Sequence, residues 1–309
     1  MAMSGNAIVT GSDARTFPFL QGLVASLKRH PTCTSIPICF FDLEPNGWTA
    51  RQREWFGRYV TAIERPRWDY PVEERRRLPF WFRGLVVRPF IPRYFPQYER
   101  FLYLDADTWV HDPSAVETYF AECEKGALVV SREDDPCYRS DHPTVERDFW
   151  AWQSMNFEKF FSWQTAETVR REVTPFNAGV FALRADAAHW AHWAHGMAEV
   201  MARAQSFGVD QVVLTWAVYE HHLPITLLPA RYNWCCHRAL PVWDVKRHHF
   251  SEPLPPYRKL GIIHLPGVAK QNPVQVVRDS TGQPALVRLI YPGGPCRGPA
   301  SAEPDRVRY

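Results

Sequence analysis

FLYLDADTWV, residues 101 to 110, runs from apolar residues into two aspartates separated by one alanine. Leu102, Tyr103 and Leu104 have the character of a core strand, and Asp105 and Asp107 stand where that strand opens into a loop. Two carboxylates so placed can turn toward one hard cation, and a divalent metal held there would neutralise a diphosphate. Two other readings stay open at this point. One aspartate can cap the helix expected near Pro113. Alternatively, Asp105 is the nucleophile of a phosphohydrolase, whose motif ends an apolar strand in DxDx and a small residue. Here Trp109 takes that fifth position, and two or three β/α units precede the pair instead of the pair opening the domain.

The chain has 309 residues, 46% apolar and 14% aromatic, enough for one large α/β domain or two small ones. Lys plus Arg number 36 against 33 Asp plus Glu, and a net charge of +3 makes no electrostatic case for a nucleic-acid partner. The 27 prolines imply many loops and helix starts. Seven cysteines without a CxxC spacing argue against a disulfide framework and a structural zinc site, which fits a reducing compartment. MAMSGNAIVTGSD is too polar for a secretory signal, and no apolar run reaches the length of a membrane span. The expected protein is cytoplasmic, with at most peripheral membrane contact.

Outward from the aspartates, a strand at 7–10, a helix at 17–28, a strand at 36–41, a helix at 48–58 and a strand at 59–63 suggest a parallel, doubly wound sheet with ligands at the carboxyl ends of its strands. Residues 70–100 are too interrupted by proline for one helix, and Arg75-Arg76-Arg77, after Glu73-Glu74, reads as a solvated face. Downstream, a helix at 113–120, a strand at 127–130, helical stretches at 145–171, 185–204 and 210–221, and strands at 176–183 and 224–228 are expected. From about residue 270, Pro, Gly, Ser and Arg suggest a weakly ordered or partner-docked tail.

Two later segments add chemistry. TPFNAGVFAL, residues 174–183, puts an Asn-Ala-Gly corner in an apolar strand, where the glycine permits close approach and the Asn offers hydrogen bonds to hydroxyls. GIIHLPGVAK, residues 261–270, ends a strand in His264, turns at Gly267 and supplies Lys270. A neutral imidazole suits a transition metal such as manganese, and an ammonium suits a phosphate.

LYLDADTWV, FNAGVF, Asp210-Gln211 and HLPGVAK, in this order, resemble glycosyltransferase family 8, the retaining group that includes glycogenin-like and lipopolysaccharide galactosyl- and glucosyltransferases. VVRPFIPRYFPQYERFLYLDAD resembles the family's approach to its metal site. The resemblance implies an α/β fold of GT-A type: a Rossmann-like mixed central sheet with helices on both faces, as a single catalytic domain over residues 1–270, with 271–309 as a C-terminal extension. It implies that Asp105, Asp107 and His264 ligate Mn2+ (or Mg2+), that Gly267 and Lys270 hold the diphosphate of a UDP-sugar, and that Arg88 reaches a donor phosphate or sugar. Asn177, Ala178, Gly179 and, in SREDDP, Asp134 would line the donor sugar. Asp210 and Gln211 would face the reacting sugar, Thr10 and Asp13 the uridine, and the backbone of Ala106 the ribose. The partners implied are a UDP-sugar and a carbohydrate or other hydroxyl acceptor. The sequence departs from the family where Gln271-Asn272 replaces the usual Pro-Trp, where Thr215 replaces an Asn, and in the aromatic spacing of VTGSDARTF. A non-catalytic nucleotide-sugar-binding protein on the same fold is the third reading.

Three further stretches are read as structural. His189, His192 and His195 belong to a Trp-rich packed helix with exposed imidazoles. Cys235-Cys236-His237 and His248-His249 lack tetrahedral-site spacing. WFRGLVVRPF, residues 81–90, would supply aromatic faces to an acceptor cleft, although core packing accounts for it equally well.

Overall fold

The computed structural model describes residues 5–70, 78–138, 143–202 and 204–295. Arg75-Arg76-Arg77, Cys296 and the remainder of the extension from 296 onward lie outside them. The strands in chain order are β1 (Asn6–Ser12), β2 (Ile38–Asp42), β3 (Ala62–Glu64), β4 (Arg100–Leu104), β5 (Thr108–Val110), β6 (Leu128–Arg132), β7 (Phe176–Arg184), β8 (Ile225–Leu228), β9 (Trp234–Cys235), β10 (Val242–Asp244), β11 (His249–Ser251), β12 (Ile262–His264), β13 (Val274–Arg278), β14 (Pro284–Arg288) and β15 (Gly294–Pro295).

Seven strands form the main sheet in the order β3-β2-β1-β4-β7-β6-β8. Strands β1 to β4 run parallel, but β7 is antiparallel to both β4 and β6, so the sheet is mixed and not purely parallel as the strand-helix alternation suggested. A long connection lets β7 enter from either end, and strand composition carries no direction.

The sheet is buried on both faces because its strands alternate two apolar sets. Val9, Phe101, Tyr103 and Phe181 pack under the helices Val209–Glu220 and His189–Met201 and the short turns from Phe80 to Tyr94. Ile8, Leu102, Leu104 and Val180 pack under Phe17–Arg29, Ala50–Tyr59 and Ser114–Cys123. The second of these helices starts on a capping box, with Thr49 and Gln52 satisfying each other's backbone N–H groups. In the helix His189–Met201, Trp190 and Trp193 are buried as expected, but His189 is buried too, its Nε2 lying 2.9 Å from the Pro224 carbonyl oxygen.

A smaller sheet, β5-β12-β9, decides the site. Strand β5 begins immediately after the DxD, and β12 lies antiparallel to it with His264 opposite Thr108. Pairing thus brings a histidine from late in the chain beside the two aspartates. Trp109, in the same strand, donates from Nε1 to the Leu289 carbonyl at 2.7 Å and packs on Tyr291. Residues 274–295 are therefore folded, correcting the weakly ordered tail: β13 and β14 form a hairpin, β15 pairs with β14, and Val277, Val287 and Leu289 are buried.

Candidate active site

At the end of β4 the Asp105 N–H donates to the Gly179 carbonyl at 2.7 Å, and Thr108 Oγ1 donates to the Asp105 carbonyl at 2.7 Å. These bonds fix the turn carrying both carboxylates. One ligand atom from each of Asp105, Asp107 and His264 lies within 4.8 Å of the others. His264 Nε2 is 3.8 Å from Asp105 and 3.5 Å from Asp107, while its Nδ1 is 3.0 Å from Asn233 Oδ1. The tautomer that donates from Nδ1 to Asn233 leaves the Nε2 lone pair facing the carboxylates, as a metal ligand requires. Two hard oxygens and one imidazole fit Mn2+ or Mg2+ and not a structural zinc site.

Gly179 makes the cluster sterically feasible. A Cβ at this position would stand 2.5 Å from Asp105 Oδ2, 2.5 Å from His264 Cε1 and 2.8 Å from Asn177 Oδ1. Gly179→Ala is expected to push the ligands apart and weaken Mn2+ binding by about 10–100-fold, the range for perturbing what orients a metal ligand. Electron paramagnetic resonance of free Mn2+ during titration measures this, and a wild-type circular dichroism spectrum shows that the fold survives.

Each aspartate has its own cation. Half-buried Lys270 places its Nζ 2.7 Å from Asp107 Oδ2. Burial pushes the Asp107 carboxyl up, but His264 and Lys270 outweigh it and hold its pKa well below the usual carboxylate range. Burial works against the Lys270 ammonium, yet Asp107, Asp105 and also Asp13 hold its pKa above the ordinary lysine value. Lys270 sits on the turn Val268–Gln271 just after Gly267, whose φ of +60° suits glycine. Arg88 is buried, with Nη2 2.7 Å from Asp105, Nη1 2.7 Å from Asp210 and 3.0 Å from the Ala178 carbonyl, and its guanidinium over the Tyr103 ring. It thus ties the DxD to Asp210, and both terminal nitrogens engage protein oxygens.

A second network adjoins the first. Gln211 Oε1 accepts from Ala178 N–H at 3.2 Å and from Asn177 Nδ2 at 3.3 Å. Asn177 Oδ1 accepts from Gly179 N–H at 2.9 Å and from Asn233 Nδ2 at 3.0 Å. Glu133 receives Asn177 Nδ2, Gln211 Nε2 and Gln153 Nε2 at 3.2, 3.3 and 3.1 Å. Burial pushes the carboxyls of Glu133 and Asp210 up despite the groups that bond to them. Trp193 Nε1 donates to the Asp210 carbonyl and fixes that end of the helix.

Most residues singled out in the sequence therefore converge: Arg88, Asp105, Asp107, Asn177, Ala178, Gly179, Asp210, Gln211, His264 and Lys270 form one connected cluster, and Ala106 is buried between the ligands. Asp134 does not join it, because its carboxylate pairs with Arg132 at 2.7 Å; its neighbour Glu133 does. Thr10 is buried in β1 with no hydrogen-bond partner for its Oγ1. Asp13 turns into the helix start, accepting from Thr16 N–H at 3.0 Å and from Arg15. Sequence reasoning missed Glu133, Gln153 and Asn233.

The comparisons with known proteins agree with this geometry. A sequence profile described as glycosyl transferase family 8 matches residues 70–270, more than half of the chain. No curated protein matches. Among solved structures, galactosyltransferase LgtC in complex with donor and acceptor sugar analogues is 16% identical, covers 85% of this chain and 88% of its own, and superposes with a TM-score of 0.51. An active-site mutant of LgtC gives 16%, 85% and 87% with a TM-score of 0.50. The apo bifunctional glycosyltransferase WbbM gives 14%, 85% and 46% with a TM-score of 0.50. At such identities these likenesses speak for the fold, and the fold is the GT-A arrangement with its mixed seven-stranded sheet. With the profile match spanning the DxD, the Asn-Ala-Gly corner, Asp210-Gln211 and Lys270, the chain belongs to glycosyl transferase family 8.

Proposed function

We propose that this glycosyltransferase is a retaining hexosyltransferase that moves a hexose from a UDP-sugar to a hydroxyl of a glycan, lipopolysaccharide or protein, with Mn2+ or Mg2+. The observation that carries the reading is the Asp105, Asp107 and His264 set, with His264 Nδ1 lying 3.0 Å from Asn233 Oδ1 on the far side of the ring. A divalent ion held by these three groups would neutralise the diphosphate of the donor. We assign the transferase domain to residues 1–270 and treat 271–309 as an extension of it. No helix among the described residues is long and apolar enough to cross a membrane.

The chain's own groups then divide the work. Lys270 offsets the charge growing on the departing diphosphate, and the Gly267 turn leaves room beside it. Asn177, Ala178 and Glu133 would line the donor sugar, and Gly179, with no side chain, leaves room beside the carboxylates. Thr10 and Asp13, at the end of β1 beside β4, are proposed to meet the uridine, and the Ala106 backbone the ribose. Gln211, held by Ala178 N–H, and Asp210, held by Arg88, stabilise positive charge at the anomeric carbon. We favour a same-face displacement over a double displacement: the acceptor oxygen bonds to the anomeric carbon, the bond to the diphosphate oxygen breaks, and the hydroxyl proton passes to that oxygen.

Calorimetric titration of UDP with Mn2+ and with chelator tests the reading. Binding that requires the metal is expected; its absence overturns the proposal. A donor panel of UDP-glucose, UDP-galactose and their N-acetyl forms, read as UDP release, then identifies the sugar. A donor that binds but is neither hydrolysed nor transferred to any acceptor would favour the non-catalytic reading.

A further inference from the structure

The side chain of Asn233, at the end of the turn Ala230–Asn233, touches both sheets. Its Nδ2 donates to Asn177 Oδ1 of β7 at 3.0 Å, and its Oδ1 lies 3.0 Å from His264 Nδ1 of β12. Asn233 and His264 are 1% and 2% exposed, so water competes little for these bonds.

Which end of each amide donates, and which imidazole nitrogen carries the proton, follows from backbone groups that can only donate. The Gly179 N–H meets Asn177 Oδ1 at 2.9 Å. A donor needs an acceptor, so the amide oxygen and not the nitrogen stands there. Asn177 Nδ2 then faces two acceptors, Glu133 Oε1 and Gln211 Oε1, and Gln211 is held in its own orientation by the Ala178 N–H. Because Asn177 presents an oxygen, Asn233 must turn its NH2 group toward it. The Asn233 oxygen is left for His264, and an N–H on Nδ1 satisfies it. Cys235 Sγ, 3.8 Å from the same nitrogen, is the weaker of its two neighbours. On the other side of the ring Asp105 and Asp107, 3.8 and 3.5 Å from Nε2, pull the opposite way, since both would accept a proton that a metal must then displace.

We propose that Asn177 is a positioning residue for the metal ligand His264. It acts through Asn233: the two amides carry the direction of the Gly179 N–H across to the imidazole, which keeps the proton on Nδ1 and leaves Nε2 to the cation. This rests on the metal site of the transferase reading and ties a residue placed along the donor sugar to the affinity for the metal.

Long-range 1H–15N spectra of the full chain labelled with 15N-histidine, the His264 signals being identified by their loss in His264→Gln, report which nitrogen is protonated. With chelator, and above the range in which free histidine titrates, Nδ1 is expected to carry the proton in the unaltered chain and Nε2 in Asn233→Leu. A bare Nδ1 in the unaltered chain overturns the proposal. Free Mn2+ followed by electron paramagnetic resonance then reads the affinity. Asn233→Leu should weaken it by about tenfold or more, the range for a group that orients a metal ligand, Asn177→Ala in the same direction but by less, and Asn233→Asp, which still accepts from Nδ1, should retain most of it. In the Asn233→Leu background Asn177→Ala should cost nothing further, because the path is already cut. Unchanged Mn2+ binding in Asn177→Ala, or losses that multiply in the double variant, would show that Asn177 does not act through Asn233. Circular dichroism of each variant shows that the fold survives. Failure of the unaltered chain to bind Mn2+ is a separate result that removes the metal reading, whereas the protonation of His264 is measured without metal.

Discussion

Asp107→Ala is expected to abolish metal-dependent UDP binding and to lower transfer at least about a hundredfold, the scale for removing a preorganised electrostatic partner of the leaving group. The substitution removes one of three ligands and also the carboxylate that holds Lys270 at 2.7 Å. Two cationic or ligating groups therefore lose their common partner at once. Asp107→Asn separates the consequences, since it keeps the size of the side chain and a hydrogen-bond acceptor but not the charge. If Asn restored tight metal and UDP binding, the assignment of Asp107 as a charged ligand would be wrong. Thermal unfolding of each variant shows whether the loss is local.

Arg88→Met carries the other large effect, this time on stability. Arg88 is the buried cation between Asp105 and Asp210, and removing one partner of a buried pair leaves an uncompensated charge at a cost of roughly 3–5 kcal/mol. The variant is expected to unfold several degrees lower, with activity lost because the DxD is no longer tied to the helix of Gln211. Adding Asp210→Asn should recover much of the stability and none of the activity. A double-mutant cycle of denaturant midpoints measures the coupling; simple additivity would mean that the pair acts through some other contact.

The parts of the site that could be read from sequence are those where residue type and strand end coincide. Asp105, Asp107 and His264 each close or follow an apolar run, and Gly179 is a glycine in a strand too apolar to tolerate one without cause. What stayed hidden depends on register and on contacts between distant side chains. The pairing of β6 with β7 shifts between Val130 and Ser131, and such a bulge changes which residues face the site; of two adjacent acids Glu133 is turned in and Asp134 out, a choice that residue type does not make. The Asn233 side chain bonds to His264 and Asn177, partners far from it in the sequence. The hairpin β13–β14 did have a signal: VQVVR and PALVR flank a turn with Gly282 at φ +86°, but Pro and Gly content masked it.

The tie between Trp109 and Leu289 has a consequence for Lys270. The lysine sits on a short connection whose upstream end is fixed by β12 against β5 and whose downstream end is fixed by β13 in the hairpin. A loop clamped at both ends has little configurational freedom left to lose when it closes on an anion. Cutting the chain after residue 270 would leave every proposed ligand in place yet convert that clamped loop into a frayed terminus. In the uncut chain, hydrogen exchange should show the segment around Lys270 opening together with the hairpin, as one cooperative unit.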